Sequence, residues 1–291
     1  MDKGGEALLK TEKLTHIYGK GTPFERTAIK DVDFEVHSGE IMGVIGHTGS
    51  GKSTLAQHLN ALLKPASGRV LLNGEDIWRG EKKVSSVRFA VGLVFQYPEY
   101  QLFEETVYKD IAFGVKNSGV PEKDIESAVY SAMDFVHLDK SVAAKSPFEL
   151  SGGQKRRVAI AGVIAMMPKV LVLDEPTAGL DPKGRREILS HIRAYRDATG
   201  ASVVLITHSM DEIARLSDRV TVINRGEIAL GGSVREVFSR EDSLTRIGLR
   251  APVVSRVLRR LHAMGIDVDC GACTVEQAIA ELKRVAGDAR A

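Results

Sequence analysis

Apolar positions recur along this chain with two periods, and the changes of period mark its elements. Alternation around Leu8 to Ile17 and Ala28 to Val36 predicts antiparallel strands. The loop between them, Gly19 to Arg26, is broken by glycines and a proline. Ile41 to Ile45 is almost continuously apolar, as in a strand buried on both faces. It runs into a glycine-rich loop and then a helix. There Leu55, Leu59, Leu62 and Leu63 fall on one stripe, and Pro65 supplies the stop. Val70 to Leu72, followed by Asn73-Gly74, predicts a strand entering a hairpin turn.

From about residue 97 helical spacing takes over, with helices expected over Thr106 to Phe113 and Ser127 to Phe135. Apolar strands return at Val170 to Leu173 and Ser202 to Ile206. Helices precede them, one ending before Pro168 and one carrying Ile188, Ile192 and Tyr195. Strand–helix alternation of this kind predicts a parallel sheet with helices on its faces, so residues 97 to 150 read as a helical insert in an α/β domain. After about residue 245 the pattern changes again. Val254, Val257, Leu258 and Leu261 share one helix face. Thr274 and Gln277 form a capping-box pair before a helix bearing Val275, Ile279 and Leu282. This reads as a small helical appendage. There is no internal repeat.

Composition narrows the class. The net charge of +2 argues against a nucleic-acid binder driven by overall charge, and 43% apolar with 27% charged residues is ordinary for a globular protein. Two cysteines, Cys270 and Cys273, suit a reducing compartment rather than a disulfide-stapled scaffold. The start, MDKGGEALLK, has no signal-peptide core, and no apolar run reaches the roughly 18 residues needed to span a bilayer. A membrane role would therefore require recruitment by a partner.

Chemistry concentrates at three places. Gly46-His47-Thr48-Gly49-Ser50-Gly51-Lys52-Ser53 fits GxxxxGK[ST] between a buried strand and an amphipathic helix. Its glycines let several N–H groups converge on one anion, and the helix N-terminus adds its dipole. Lys52 supplies a point charge for the β- and γ-phosphates, and Ser53 a hydroxyl ligand for Mg²⁺. Val170 to Asp174-Glu175 is an apolar strand delivering two acids at its C-terminal end, where ligands of open α/β sheets bind. Asp174 can hold the metal's water shell, and Glu175 can orient or deprotonate an attacking water. Leu150-Ser151-Gly152-Gly153-Gln154 opens a helix expected over Lys155 to Met167, giving a second anion-binding helix end. Two such ends in one chain suggest two nucleotide sites shared across a dimer.

In this order the motifs resemble those of the nucleotide-binding subunits of ATP-binding cassette (ABC) transporters. They run Tyr18, the phosphate loop, Gln96, Leu150 to Gln154, Asp174-Glu175, Ala178-Gly-Leu-Asp181 and His208, and the likeness covers roughly residues 6 to 240. It implies a P-loop NTPase with a mainly parallel core sheet, an antiparallel β subdomain, the helical insert and the appendage. It implies an ATPase domain over 1–240, with a helical subdomain at about 97–165. Residues 241–291 form the appendage, a candidate dimerisation region. It implies ATP and Mg²⁺ as ligands. The nucleotide-binding set is Tyr18 with Gly46, His47, Thr48, Gly49, Ser50, Gly51, Lys52, Ser53 and Thr54. Tyr18 stacks on adenine, or else is a core tyrosine. Ser151, Gly152, Gly153, Gln154 and Asp181 face the opposite subunit's nucleotide. Glu175, His208 and Gln96 carry catalysis, with Ser53, Gln96 and Asp174 around the metal, Asp174 through water.

A narrower likeness exists. Phe95-Gln-Tyr-Pro-Glu-Tyr-Gln-Leu-Phe-Glu-Glu-Thr-Val-Tyr-Lys-Asp-Ile-Ala-Phe-Gly114 resembles the ATPases of energy-coupling factor (ECF) transporters, importers of vitamins and transition metals. Gly21 to Glu25 and Lys155 to Gly162 are similar to the second of that family's two ATPase paralogues. The likeness implies a heterodimer with a sister ATPase, or a homodimer. It implies a transmembrane coupling subunit, exchangeable substrate-binding membrane subunits, no nucleic acid, and a peripheral place on the cytoplasmic side of the cell membrane. The aromatics of Tyr97 to Phe103 either anchor a helix of the membrane subunit or fill the insert's core. The alternative is the ATPase of another ABC class. Repair and translation members are disfavoured by the absence of sustained heptads and of a second phosphate loop, and a kinase or GTPase by the LSGGQ. Cys270-Gly-Ala-Cys273 lacks the ligand count of a zinc site. Arg246, Arg250, Arg256, Arg259 and Arg260 either touch anionic lipid headgroups or a partner, or form the solvated face of a helix.

Overall fold

The computed structural model describes residues 7–79 and 84–288. Residues 1–6, part of the start read above as lacking a signal-peptide core, lie outside the described residues, as do 80–83 and 289–291 within the assigned domains. Two sheets carry the chain. Strands β1 (Leu9–Tyr18), β2 (Arg26–Val36), β4 (Ser67–Leu72) and β5 (Glu75–Asp76) form an antiparallel sheet ordered β2-β1-β4-β5. Strands β3 (Ile41–Ile45), β6 (Val91–Val94), β7 (Val170–Asp174), β8 (Ser202–Ile206), β9 (Arg219–Asn224) and β10 (Glu227–Ser233) form the second, ordered β10-β9-β3-β8-β7-β6. All its pairs are parallel except β10 with β9. Strands β3, β7 and β8 are buried at every position, which is why they lack alternation.

Helix α1 (Lys52–Leu59) follows β3, and α2 (Val84–Ala90) precedes β6. Helices α3 (Val107–Asn117), α4 (Glu122–Phe135) and α5 (Gly152–Ile164) pack on one another as the helical insert. Helices α6 (Pro182–Thr199) and α7 (Met210–Leu216) flank β8. Beyond β10 come α8 (Val234–Ser239), α9 (Glu241–Arg246), α10 (Val253–Ala263) and α11 (Val275–Asp288); Val237 and Phe238 of α8 belong to the main core, while Leu258, Val268, Ala272 and Ala278 form a small separate one. No described helix is long and apolar enough to cross a membrane.

Several boundaries depart from the periodicity. The helix after the phosphate loop stops at Leu59, because Ala61 turns left-handed at φ 55° and the Leu62 and Leu63 amides return to the Gln57 carbonyl. Leu62 is exposed, so the stripe ends one turn early. The helix opened by the LSGGQ signature at Leu150 to Gln154, the signature helix, starts at Gly152 rather than Lys155, because Ser151 caps it, and it ends at Ile164. Helix α4 begins at Glu122, ahead of the apolar stripe used to find it. The Asn73-Gly74 turn is as expected, with φ 52° and 77°.

Candidate active site

The parallel register gathers the chemistry at one edge. Val44 pairs with Ile206, Asp174 with Ile206 and Val94 with Leu173. The chain segments that leave β3, β6, β7 and β8 at their C-terminal ends are therefore neighbours. They carry the phosphate loop, Gln96, Asp174-Glu175 and His208.

The phosphate loop closes on its own lysine. Lys52 Nζ donates to the Gly46 and His47 carbonyls, each at 2.8 Å, and is almost wholly buried. Burial lowers its pKa, while the Glu175 and Asp174 carboxylates pull it back up. Two glycines are required by space. A Cβ on Gly46 would collide with the Ile223 carbonyl, and one on Gly51, at φ 108°, would sit 2.6 Å from Ile29 Cγ2. Ser50 Oγ is buried in the loop with no partner. Thr54 Oγ1 lies 3.3 Å from the Tyr18 hydroxyl, whose ring packs edge-on to His16 and is 42% exposed. Tyr18 is thus on the surface beside α1, not in the core. It lines a cavity of about 180 Å³ with Arg26, Ala28, Gly49, Gly51, Lys52, Ser53 and Thr54.

Asp174 is buried beside Ser53. Burial raises its pKa, and the Ser53 hydrogen bond and Lys52 charge oppose that rise. Glu175 adopts φ 53°, a left-handed conformation unusual for a glutamate, and its amide donates to the Ile206 carbonyl at 2.8 Å. His208 is exposed and places Nδ1 2.6 Å from Glu175 Oε2. Gln96 is exposed. The next residue, Tyr97, is left-handed at φ 56° and starts a 3-10 turn over Pro98–Gln101. The rings of Tyr97, Tyr100, Phe103 and Phe113 are exposed, so they are not the insert's core.

The signature helix opens with a complete capping box. Gln154 N donates to Ser151 Oγ at 3.3 Å, and Ser151 N donates to Gln154 Oε1 at 3.0 Å. Gly152 and Gly153 are exposed, and among the described residues nothing beyond their chain neighbours and their own helix backbone lies within 4 Å of where their Cβ atoms would be. Asp181 is exposed and caps α6, its Oδ1 accepting from Gly184 N at 2.7 Å.

Four features of this region had no signal in the sequence. Arg156 is buried and donates to both carboxylate oxygens of Glu99. In the run Lys155-Arg156-Arg157 nothing marks it as internal. Glu212 is buried and accepts hydroxyl bonds from Thr177 (2.9 and 3.0 Å) and Thr207 (3.0 Å), joining the segment after Glu175 to the residue before His208. Its spacing from Ser209 reads as a capping box, yet the carboxylate turns inward. Arg26 joins the cavity wall from the first position of β2. His47 reaches the appendage, its Nε2 lying 2.7 Å from the Ile247 carbonyl. In the appendage itself, Arg259 bonds Glu241 at 2.6 Å, so that arginine is not merely solvated. Among the described residues no cluster of three or more His, Cys, Asp or Glu side chains could hold a metal, and both cysteines are free thiols.

Comparison with known proteins follows the same lines. Residues 29–178 match the family model described as ABC transporter. The chain is 52% identical over 270 residues to the energy-coupling factor transporter ATP-binding protein EcfA2 of Caldanaerobacter subterraneus subsp. tengcongensis, covering 93% of this chain and 94% of the relative. It is 52% identical to the protein of the same name from Clostridium tetani, covering 95% and 96%. Among solved structures it is similar to cbiO1 of Clostridium perfringens, described as part of the ABC transporter complex cbiONQ. That likeness has a TM-score of 0.74 and 38% identity, over 90% of this chain and 100% of that one. A dimeric ATP-binding cassette in a post-hydrolysis state with ADP and Pi matches at TM-score 0.70 and 26% identity, over 78% and 98%.

Proposed function

The chain belongs to the energy-coupling factor transporter ATP-binding proteins of the ABC family, and from that premise we propose how its residues power import. It binds and hydrolyses ATP as the ATPase subunit of an ECF-type importer. The cargo is of the vitamin or transition-metal class, and it is selected by membrane subunits rather than by this chain. The observation that carries the hydrolytic reading is the 2.6 Å contact between His208 and Glu175 at the sheet edge that bears the phosphate loop.

Lys52 and the loop amides bind the β- and γ-phosphates, and Tyr18 offers its exposed ring to adenine. Glu175, oriented by His208, takes a proton from the attacking water. Water oxygen bonds to the γ-phosphorus as the bond to ADP breaks. The residues present fit Mg²⁺: the buried Asp174 carboxylate beside the Ser53 hydroxyl is a hard oxygen donor set, with Gln96 leaving the sheet at the same edge. Bound there, Mg²⁺ would neutralise charge on the phosphates.

The signature glycines support a dimer. Glycine is a poorer helix former than alanine, and among the described residues no close neighbour requires it at 152 or 153. Close approach from outside does: Ser151, Gly152, Gly153 and Gln154 face a γ-phosphate held by the opposite subunit, with Asp181 at the seam. That subunit is a sister ATPase, or a second copy. The exposed apolar positions Val253 and Val257 of α10, and Val275, Ile279 and Leu282 of α11, suit the appendage as a dimerisation region. The exposed Tyr97, Tyr100, Phe103 and Phe113 suit an anchor groove for a helix of the transmembrane coupling subunit, which would hold the chain peripherally on the cytoplasmic face.

The test is affinity purification of the tagged chain from detergent-solubilised membranes, read by mass spectrometry. A sister ATPase, one polytopic protein and several small membrane proteins are expected. A single dedicated membrane pair would move the chain to another ABC class, and no membrane protein at all would overturn the transport reading.

A further inference from the structure

Arg156 stands where three loops of the site meet. It is 3% exposed and lies one turn into the signature helix. Its Nε and Nη2 donate to Glu99 Oε2 at 3.0 Å and Oε1 at 2.7 Å. Its Nη1 donates to the Ala178 carbonyl at 2.6 Å and the Pro176 carbonyl at 3.3 Å. Glu99 belongs to the 3-10 turn that follows Gln96, through the left-handed Tyr97. Pro176 and Ala178 follow the left-handed Glu175, whose own carbonyl accepts from Ala178 N. Thr177, between those two carbonyls, is fixed from the other side by Glu212. The segment just past the catalytic glutamate is thus clamped by a guanidinium on one side and a carboxylate on the other.

We propose that Arg156 is a positioning residue that keeps the Glu175 segment in register with the Gln96 loop and the signature helix. Displacement of the aromatic turn Tyr97–Phe103 is thereby passed to the hydrolytic glutamate through one rigid group. Only arginine meets this geometry. Its planar fork grips a carboxylate with two nitrogens and leaves the third for the carbonyls, whereas a lysine ammonium offers charge without the fork. A buried pair of this kind is weak grounds for a stabilising role, because desolvation offsets its attraction. Register between loops is the better account of why a charge is buried there.

The inference rests on Glu175 as the base, so Glu175→Gln is measured alongside. Arg156→Ala would strand a half-buried Glu99 carboxylate and endanger folding. The informative variants are Arg156→Lys, Glu99→Gln and the pair together, in the full chain purified with its co-extracted partners. Expected for each single variant is a fall in kcat of about tenfold or more with ATP Kd within about twofold, and for the pair a loss well short of the product of the singles. A purely structural role would lower Tm but leave kcat per folded molecule intact. That result, or losses that multiply, overturns this inference alone. Undiminished turnover in Glu175→Gln overturns the catalytic reading, and the positioning role falls with it.

Discussion

His208 Nδ1 and Glu175 Oε2 lie 2.6 Å apart although 33 residues separate them, and the sheet register makes them meet. Asp174 is paired with Ile206, so each side chain is carried just past a strand end at the same edge. Glu175 reaches its position by adopting φ 53°. A strained conformation persists only where the surroundings enforce it, and here the Ile206 carbonyl, His208 and the clamped Thr177 segment do so. Glu175→Gln keeps the shape and loses the base. Turnover should fall by about two to four orders of magnitude while ATP affinity is retained, measured by phosphate release beside nucleotide binding. Near-normal phosphate release from a complex in which every such glutamate is replaced would remove the general-base role.

Lys52 supplies the second prediction. Its ammonium is buried and satisfied by the Gly46 and His47 carbonyls, so the loop itself aims the charge inward. Lys52→Ala removes both the charge for the phosphates and the bonds that shape the loop. ATP affinity should drop by roughly tenfold or more, and AMP affinity far less, because charge-assisted bonds to the β- and γ-phosphates are what is lost. Equal weakening for ATP and AMP, read by calorimetry, would mean that Lys52 serves loop shape alone.

What the sequence makes legible here is whatever is local. The phosphate loop, the Asp174-Glu175 strand end and the Asn73-Gly74 turn depend on residues a few positions apart, and each stands where the spacing predicts, whereas the Ser151 cap moves its helix start three residues ahead of the expected Lys155. What it hides are partners brought together by packing. Arg156 finds Glu99 across 57 residues and Glu212 finds Thr177 across 35, in segments whose local pattern reads as surface charge and as a helix cap. The end of α1 is hidden for another reason. The leucine stripe continues past Leu59, but the left-handed Ala61 redirects the chain, and tertiary context overrides the period.

Glu212 yields a third prediction. Its carboxylate is buried and accepts from two threonine hydroxyls, with no cation donating to it among the described residues. Thr177→Val removes one donor at nearly constant volume and leaves part of a buried carboxylate unsatisfied. The loss should be about 1–3 kcal/mol by urea titration. Since Thr177 lies in the segment after Glu175, kcat should fall more than ATP affinity. Unchanged stability and unchanged kcat together would show the hydroxyl to be dispensable.

The last prediction concerns acid. His58 is fully buried in α1, and burial, aided by the neighbouring His16, lowers its pKa to about 4. His191, buried in α6 against His137, is lowered to about 4 in the same way. The unfolded chain takes up these protons near pH 6.5, whereas the folded chain resists until about pH 4. Between those values the unfolded state binds more protons, so stability falls as pH falls. Well above pH 6.5, from about pH 7.5 upward, both rings are neutral in either state and contribute no slope. Thermal unfolding should therefore show Tm decreasing from pH 6.5 toward pH 4. Replacing one titrating ring by an apolar side chain of similar size, as in His58→Leu, should flatten part of that slope whatever it does to Tm at pH 8. An unaltered slope in both His58→Leu and the matching His191→Leu would assign the acid sensitivity to carboxylates instead. The raised pKa of buried Asp174 makes a separate contribution, because a proton held there in the folded state favours folding as pH falls, opposite in sign to the histidines.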